Sequence, residues 1–192
     1  ENGQIKEERN YKDGIEIVIE TLYKYRDDGQ IEEESIYEND KLVSETRYSY
    51  HENGQIKLEI TYKDGKEVSQ TDYYYYENGQ IEAEVNWKDD KKHGKETGWY
   101  ENGQKEWEEY YKDGIPDGEW ISWLENGSQS GEGSFIDGTG TSLYLHENGQ
   151  KKQEGNYKDG LGKYTWWYEN GQIKAEGHYK DGELDGIYTS WD

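Results

Sequence analysis

The chain repeats itself from end to end, and each repeat carries two turn signals a fixed distance apart. The first signal ends at Gly3, Gly29, Gly54, Gly79, Gly103, Gly127, Gly149 and Gly171. The second ends eleven residues later in all eight repeats, at Gly14, Asp40, Gly65, Asp90, Gly114, Gly138, Gly160 and Gly182. The spacings between first signals are 26, 25, 25, 24, 24, 22 and 22, so all length variation sits in the second half of the unit. A period of this size marks a repeat architecture in which each unit buries its apolar surface against its neighbours.

Both halves of the unit read as strands. Two residues after the first glycine stand Ile5, Ile31, Ile56, Ile81 and Ile173, with Lys105, Gln129 and Lys151 in the other repeats. Eight residues after it the side chain is always aromatic: Tyr11, Tyr37, Tyr62, Trp87, Tyr111, Phe135, Tyr157 and Tyr179. Five residues after it comes Glu without exception: Glu8, Glu34, Glu59, Glu84, Glu108, Glu132, Glu154 and Glu176. Even positions are apolar and odd ones polar, the period of a strand with one half-buried face. In the second half, Tyr25, Tyr50, Tyr75, Trp99, Trp123, Leu145 and Trp167 stand four residues before the next glycine. Tyr23, Tyr48, Tyr73, Thr97, Ile121, Leu143 and Thr165 stand six before it. Aromatic and β-branched residues of this kind favour strands.

Turn length then fixes which residues face each other. A two-residue Asn-Gly loop would set Trp167 opposite Lys174, whereas a three-residue Glu-Asn-Gly loop sets it opposite Ile173. The second choice, a type I turn with a left-handed glycine in a bulge, places every apolar position on one side. Lys-Asp-Gly reads the same way, and the 22-residue unit closes as two eight-residue strands and two three-residue turns. The 24-residue units add Lys92-His93-Gly94 and Pro116-Asp117-Gly118, where a turn or bulge tolerates the chain's one proline. The first three repeats are longer and lack this glycine, which predicts more regular or bulged strands there.

The expected fold is all-β: an elongated repeat array of about eight β-hairpins forming a meandering antiparallel sheet. A single array covers residues 1–192, with units starting near 1, 27, 52, 77, 101, 125, 147 and 169. About sixteen strands at ~4.8 Å each would extend roughly 75 Å. Both ends read as cut from a longer array, leaving edges open to edge-to-edge self-association.

Composition narrows the function. The 44 acidic residues outnumber 22 basic ones, for a formal charge of −22. That argues against nucleic acid, whose phosphates need Lys and Arg, and against anionic lipid. Hydrophobic residues make up only 30%, but the 20 Tyr, 8 Trp and 1 Phe recur at fixed positions, as disordered chains do not show. There is no Cys, which removes disulfides and thiolate metal sites. There is no Met, so residue 1 reads as something other than a native start, and the compartment, bacterial cytoplasm or cell surface, stays open. No apolar run is long enough for a membrane helix.

The repeated Tyr-Glu-Asn-Gly-Gln … Tyr-Lys-Asp-Gly resembles the MORN repeat variant of bacterial proteins, some of them labelled antitoxin-like. The resemblance covers the whole chain. Trp87-Lys88-Asp89-Asp90-Lys91-Lys92-His93-Gly94 and Tyr111-Lys112-Asp113-Gly114-Ile115-Pro116-Asp117-Gly118-Glu119-Trp120 come nearest to the parent MORN pattern, and the first three repeats depart from it most. The resemblance implies stacked hairpins that act as interaction scaffolds. Lipid binding, proposed for MORN proteins, conflicts here with the charge of −22.

The candidate binding residues are the aromatic stripe Tyr62, Trp87, Trp99, Tyr111, Trp123, Tyr157, Trp167 and Tyr179. Read structurally, they pack on neighbouring strands and hold the sheet. Read functionally, they form a platform, because a single-layer sheet leaves some aromatics accessible. The invariant Glu residues are not a calcium ladder: equivalent strands lie roughly 10 Å apart, while calcium needs several oxygens at ~2.4 Å. They are expected to pair with Lys or hydroxyls, or to be solvated. His51, His93, His146 and His178 are scattered without ligand spacing, and no catalytic motif is present. No cofactor or metal is expected, and an enzyme is not. One edge carries Lys12, Lys63, Lys88, Lys112, Lys158 and Lys180; the other carries Glu52, Glu77, Glu101, Glu125, Glu147 and Glu169. Such tips aid solubility, and an acidic edge also steers a basic partner. The leading expectation is a scaffold that binds a protein partner through its aromatic face. The alternatives are a carbohydrate or cell-wall binding module, suggested by Trp166-Trp167-Tyr168, and a spacer within a larger surface or antitoxin-like protein.

Overall fold

The computed structural model is an antiparallel meander of β-hairpins. It describes residues 7–12 and 15–192, with side chains from residue 19 onward. Gly3, Ile5 and Gly14 lie outside the described residues, as do the side chains of Glu8, Tyr11 and Lys12. The first strands are β1 (Glu7–Lys12), β2 (Ile15–Tyr25), β3 (Ile31–Glu38), β4 (Lys41–Tyr50), β5 (Ile56–Lys63) and β6 (Lys66–Tyr75). There follow β7 (Ile81–Lys88), β8 (Lys91–Lys92), β9 (Gly94–Trp99), β10 (Lys105–Lys112), β11 (Ile115–Pro116) and β12 (Gly118–Trp123). The last are β13 (Gln129–Ile136), β14 (Thr139–Leu145), β15 (Lys151–Lys158), β16 (Leu161–Trp167), β17 (Ile173–Lys180) and β18 (Glu183–Ser190). His93 and Asp117 each interrupt one expected strand, at the two inserts of the 24-residue units. The early repeats use their extra residues in longer strands, with register shifts such as that between Ile36 and Tyr37.

The Glu-Asn-Gly turn is the three-residue loop expected. Gly171 N–H donates to the Tyr168 carbonyl at 2.9 Å, and Tyr168 N–H donates to Gln172 O at 2.8 Å. Gly171 has φ 84°, the left-handed value that closes a type I turn onto a bulge. Trp167 then pairs with Ile173, and Tyr25, Tyr50, Trp99, Trp123 and Leu145 find their equivalents likewise.

Two expectations fail, both for backbone reasons. Lys-Asp-Gly closes with two residues rather than three: Lys63 pairs with Lys66, and Lys180 with Glu183. Asp64 (φ 49°) and Gly65 (φ 73°) are both left-handed, the type I′ pattern whose twist matches the strands. Next, one residue beyond the Trp167–Ile173 pair the register slips, so that Trp166 pairs with Ala175 and Lys174 is left over. The same bulge follows Tyr25, Tyr50, Trp123 and Leu145. A bulge exchanges the faces of all residues beyond it. The apolar positions therefore do not share one side. The aromatic eight residues after the glycine lies on one face, and the residues four and six before it lie on the other, with the invariant Glu.

The chain divides into two units, one of Glu1–Tyr74 with Asn86–Lys91, the other of Tyr75–Val85 with Lys92–Asp192. In the second unit the aromatic face, here called the ring face, is built of transverse rows. One row of directly paired residues runs Trp120, Gly133, Ser142, Gly155, Tyr164, Gly177, Tyr188. A parallel row runs Phe135, Gly140, Tyr157, Gly162, Tyr179. In the second row rings alternate with glycine, and in the first Ser142 takes the place of a ring between Gly133 and Gly155, so each ring lies over the gap its neighbour leaves. A Cβ on Gly131 would stand 2.6 Å from the Trp120 ring, which makes this glycine a seat for the indole. Rings meet across the glycines: Phe135–Tyr157 and Tyr157–Tyr164 at 5.4 Å, Tyr164–Tyr179 at 5.0 Å and Trp120–Tyr144 at 5.0 Å. Each such pair adds about 0.5–1.5 kcal/mol beyond its burial. Among the described residues, Phe135 and Ala175 are the buried apolar side chains, so this lateral ring packing stands in for a core.

The opposite face of this unit is a row of glutamates between small or aliphatic partners. Glu108 takes both Lys95 and Lys105, Glu154 takes Lys151, and Glu176 takes Lys163 and the Thr165 hydroxyl. This is the pairing expected of the invariant Glu. In the first unit the ring-face equivalent is more charged. Arg47 lies over the Tyr62 ring at 5.1 Å and pairs with Glu33 and Glu45.

Candidate binding face

The aromatic stripe of the sequence is distributed over two faces. Tyr111, Tyr157 and Tyr179 stand on the ring face of the second unit, and Trp99, Trp123 and Trp167 on its glutamate face. Tyr62 belongs to the first unit, under Arg47. Trp87 is there too, with a buried indole N–H that has no hydrogen-bond partner. All eight side chains are half-buried.

Position on the face decides what each does. On the glutamate face, Lys151 Nζ sits 5.4 Å from the Trp167 ring centroid, a cation held over an indole. The Trp99 and Trp123 carbonyls accept the hydroxyls of Tyr76 and Tyr100 at 2.6 and 2.7 Å. These two bonds belong to a ladder along the turn tips. Asn102 and Asn148 add to it by donating to the Glu125 and Glu169 carbonyls of the following turn. Each Asn also accepts from the backbone N–H two residues on, as Asn170 does from Gln172 at 2.9 Å. The Tyr-Glu-Asn-Gly-Gln signature is thus a structural clasp between neighbouring turns, with its Glu side chains left in solvent.

On the ring face, six aromatics outside the predicted stripe complete the surface: Trp107, Trp120, Tyr144, Tyr164, Trp166 and Tyr188. Tyr144 is 40% and Tyr188 50% exposed, so the rows are only half covered. Two recesses open there. One of about 360 Å³ is lined by Trp107, Glu109, Trp120, Ser122 and Tyr144 among others. The second, of about 240 Å³, is lined by Glu109, Pro116, Trp120, Phe135 and Tyr157 among others. The signal that marks these aromatics is the set of strand glycines at fixed offsets, which a search for turn glycines passes over.

Electrostatics differ sharply between the two faces. Glu108 and Glu109 are neighbours in sequence and point to opposite sides. Burial pushes the Glu108 carboxyl up, but hydrogen bonds from Lys105 and Lys95 outweigh it and hold the carboxyl below its ordinary value. Glu109 is raised, by burial first and by the charge of Glu96, against the Tyr111 hydroxyl and Lys92. Tyr111 and Tyr164 are pushed up as well, both chiefly by burial. Among the described residues no three His, Asp or Glu converge as metal ligands.

The MORN repeat variant family matches residues 1–13, 46–64, 73–89, 139–159 and 161–181. No curated protein matches the chain. Among solved structures the chain is similar to TcdB2-TccC3, at 9% identity and TM-score 0.38, covering 94% of this chain and 13% of that one. It is also similar to accessory secretory protein 1, 2 and 3 of Streptococcus pneumoniae, at 18% identity and TM-score 0.20, covering 64% and 19%. A third is the Photorhabdus luminescens Tc holotoxin pore, at 9% identity and TM-score 0.23, covering 86% and 14%. The chain spans less than a fifth of each of these, and likenesses at such TM-scores carry no argument. MORN repeats are generally binding or scaffold modules. At five segments along its length the chain carries the MORN repeat variant.

Proposed function

We propose that the chain is a non-enzymatic scaffold that binds a protein through the ring face of its second unit. The observation that supports this is the asymmetry between the faces. The glutamate face pairs Glu108, Glu154 and Glu176 with lysines, and its recess of about 330 Å³ is lined by Glu119, Glu132, Leu143, Lys151 and Glu154 among others, whereas the ring face keeps half-exposed Tyr144 and Tyr188 and two recesses walled by aromatic rings. Accessible aromatics that wall a recess are the anchors that protein interfaces favour.

The test uses the chain as bait in lysate of its source cell, beside Trp120→Ala on the ring face and Trp123→Ala on the glutamate face. A stoichiometric protein held by the parent and by Trp123→Ala, and lost by a folded Trp120→Ala, supports the reading. Equal capture by both variants, or none by the parent, removes it. The glycan alternative draws on Tyr164 and Trp166, half-buried rings that lie parallel at 5.6 Å and 13° on the ring face. Saturable fluorescence quenching by a soluble glycan, abolished in Trp166→Ala, would favour it instead.

A further inference from the structure

Beside the two recesses lies a charge arrangement that sheet stability does not explain. Glu96 on β9 and Glu109 on β10 stand directly opposite each other. Like charges in that position destabilise a strand pair. Lys92 answers one of them: its Nζ lies 2.8 Å from Glu96 Oε2 and 4.8 Å from the Tyr111 ring centroid. Glu109 has the Tyr111 hydroxyl and only the more distant charge of the same Lys92, so one lysine serves two carboxylates. Glu96 is 1% exposed, and its Oε1 has no hydrogen-bond partner. A buried carboxylate oxygen left unmatched is costly, and selection for stability alone would replace it. Glu109 is the member of the pair that a ligand reaches, since it lines both recesses, as does Trp120.

We propose that Glu109 and Trp120 form a subsite for an arginine side chain presented by the protein partner. This deepens the reading of the ring face and rests on it. Glu96 lines neither recess and keeps the close Lys92 contact to itself, so what is missing is a positive charge with several donors on the recess side of Glu109, and a guanidinium supplies both. Its planar fork matches a carboxylate, and its face stacks on an indole. Its weak hydration suits a recess walled by Phe135 and Tyr157 better than an ammonium does. The formal charge of −22 draws a basic partner toward this surface. A hard metal cation would need several converging oxygens, which the described residues do not offer here.

The test titrates the full chain with N-acetyl-arginine methylamide and follows the indole N–H resonances by NMR. The neutral citrulline counterpart and the lysine counterpart are the comparison probes. The expected result is a saturable shift of the Trp120 indole with the arginine amide, and binding about tenfold or more weaker with citrulline. The shift is expected to be lost in Glu109→Gln, while the Trp166 indole stays in place to report an intact fold. An equal response to arginine and citrulline, or unchanged binding in Glu109→Gln, overturns the subsite. An equal response to lysine overturns the choice of guanidinium. Protein capture that succeeds while the arginine probe fails removes this subsite and leaves the ring-face reading standing. Capture that fails while the probe binds does the reverse.

Discussion

Replacing Gly131 by Ala separates two accounts of the strand glycines by the sign of one number. If such a glycine is simply a weak strand residue, adding a methyl stabilises the fold by about 0.5–1 kcal/mol. If it is a seat for a ring, the methyl has nowhere to go. A Cβ at Gly131 falls 2.6 Å from Trp120 Cη2 and 2.8 Å from Ser122 Oγ, which already bonds Ser130 Oγ at 2.9 Å. Overpacking of this kind costs about 1–3 kcal/mol, which exceeds the entropic gain and leaves a net loss on the order of 1 kcal/mol. Gly131 is not left-handed, so backbone strain does not confuse the outcome. In a Trp120→Ala background the same substitution should become neutral or stabilising, a coupling of about 1–3 kcal/mol between contacting residues. Repeat arrays need not unfold in one step. Native-state hydrogen exchange of the β13 amides, beside the urea midpoint, therefore reads the local effect. A Gly131→Ala variant more stable than its parent, with Trp120 present, would refute the ring-seat argument.

Other outcomes follow from the same geometry. The Glu109 carboxyl keeps its proton to higher pH in the fold than in the unfolded chain, so it costs stability as pH rises from its ordinary value of 4.5 through the raised value, and the cost persists above. Glu109→Gln should raise the melting temperature at neutral pH by an increment that vanishes as pH falls toward 4.5. Glu108, held low by its lysines, contributes stability that is present above 4.5 and disappears as pH falls through its lowered value, so Glu108→Gln should destabilise at neutral pH and not in strong acid. Tyr100→Phe removes a hydroxyl that bonds the Trp123 carbonyl at 2.7 Å and should cost about 0.5–1.5 kcal/mol, seen as faster amide exchange at the turn tips. Gly65→Ala forces a methyl onto a φ of 73° and should cost about 1–2 kcal/mol by urea denaturation, although a Cβ there meets no neighbour.

The architecture was open to a reader of the sequence because its two strongest signals are local. Asn-Gly with an aromatic four residues upstream sets the three-residue loop and the Trp167–Ile173 pair. Reading Lys-Asp-Gly as its twin failed because Asn-Gly and Asp-Gly both suit the tighter turn, and the wider loop goes with contacts of the Asn side chain, which accepts the N–H two residues on, as Asn170 does from Gln172. The bulge beyond Trp167 was hidden for a deeper reason. Period-two counting assumes that facing strands advance in step, and an extra residue such as Lys174 leaves the alternation of its own strand intact. Every residue beyond it then changes face unseen. That is why Trp123 and Tyr157 read as one stripe and stand on opposite sides, and why Trp120, Tyr144 and Tyr164 were missed. Glu109 was obscured by its neighbour. The invariant Glu108 draws the eye, while the residue that breaks the pattern faces the recesses.

The alternation of rings with glycine along the row from Phe135 to Tyr179 also determines which assembly errors the chain can make. If a strand paired one place out of turn, Phe135 would meet Tyr157 instead of Gly140, ring against ring. If a whole hairpin were skipped, large would again meet small and the turn tips would still clasp. The rows therefore guard the order of strands within a hairpin and are indifferent to which hairpin comes next. A chain built this way gains or loses units only as complete pairs of strands. Two molecules could likewise exchange a pair at little enthalpic loss during refolding at high concentration, and dilution before refolding is the way to keep them apart.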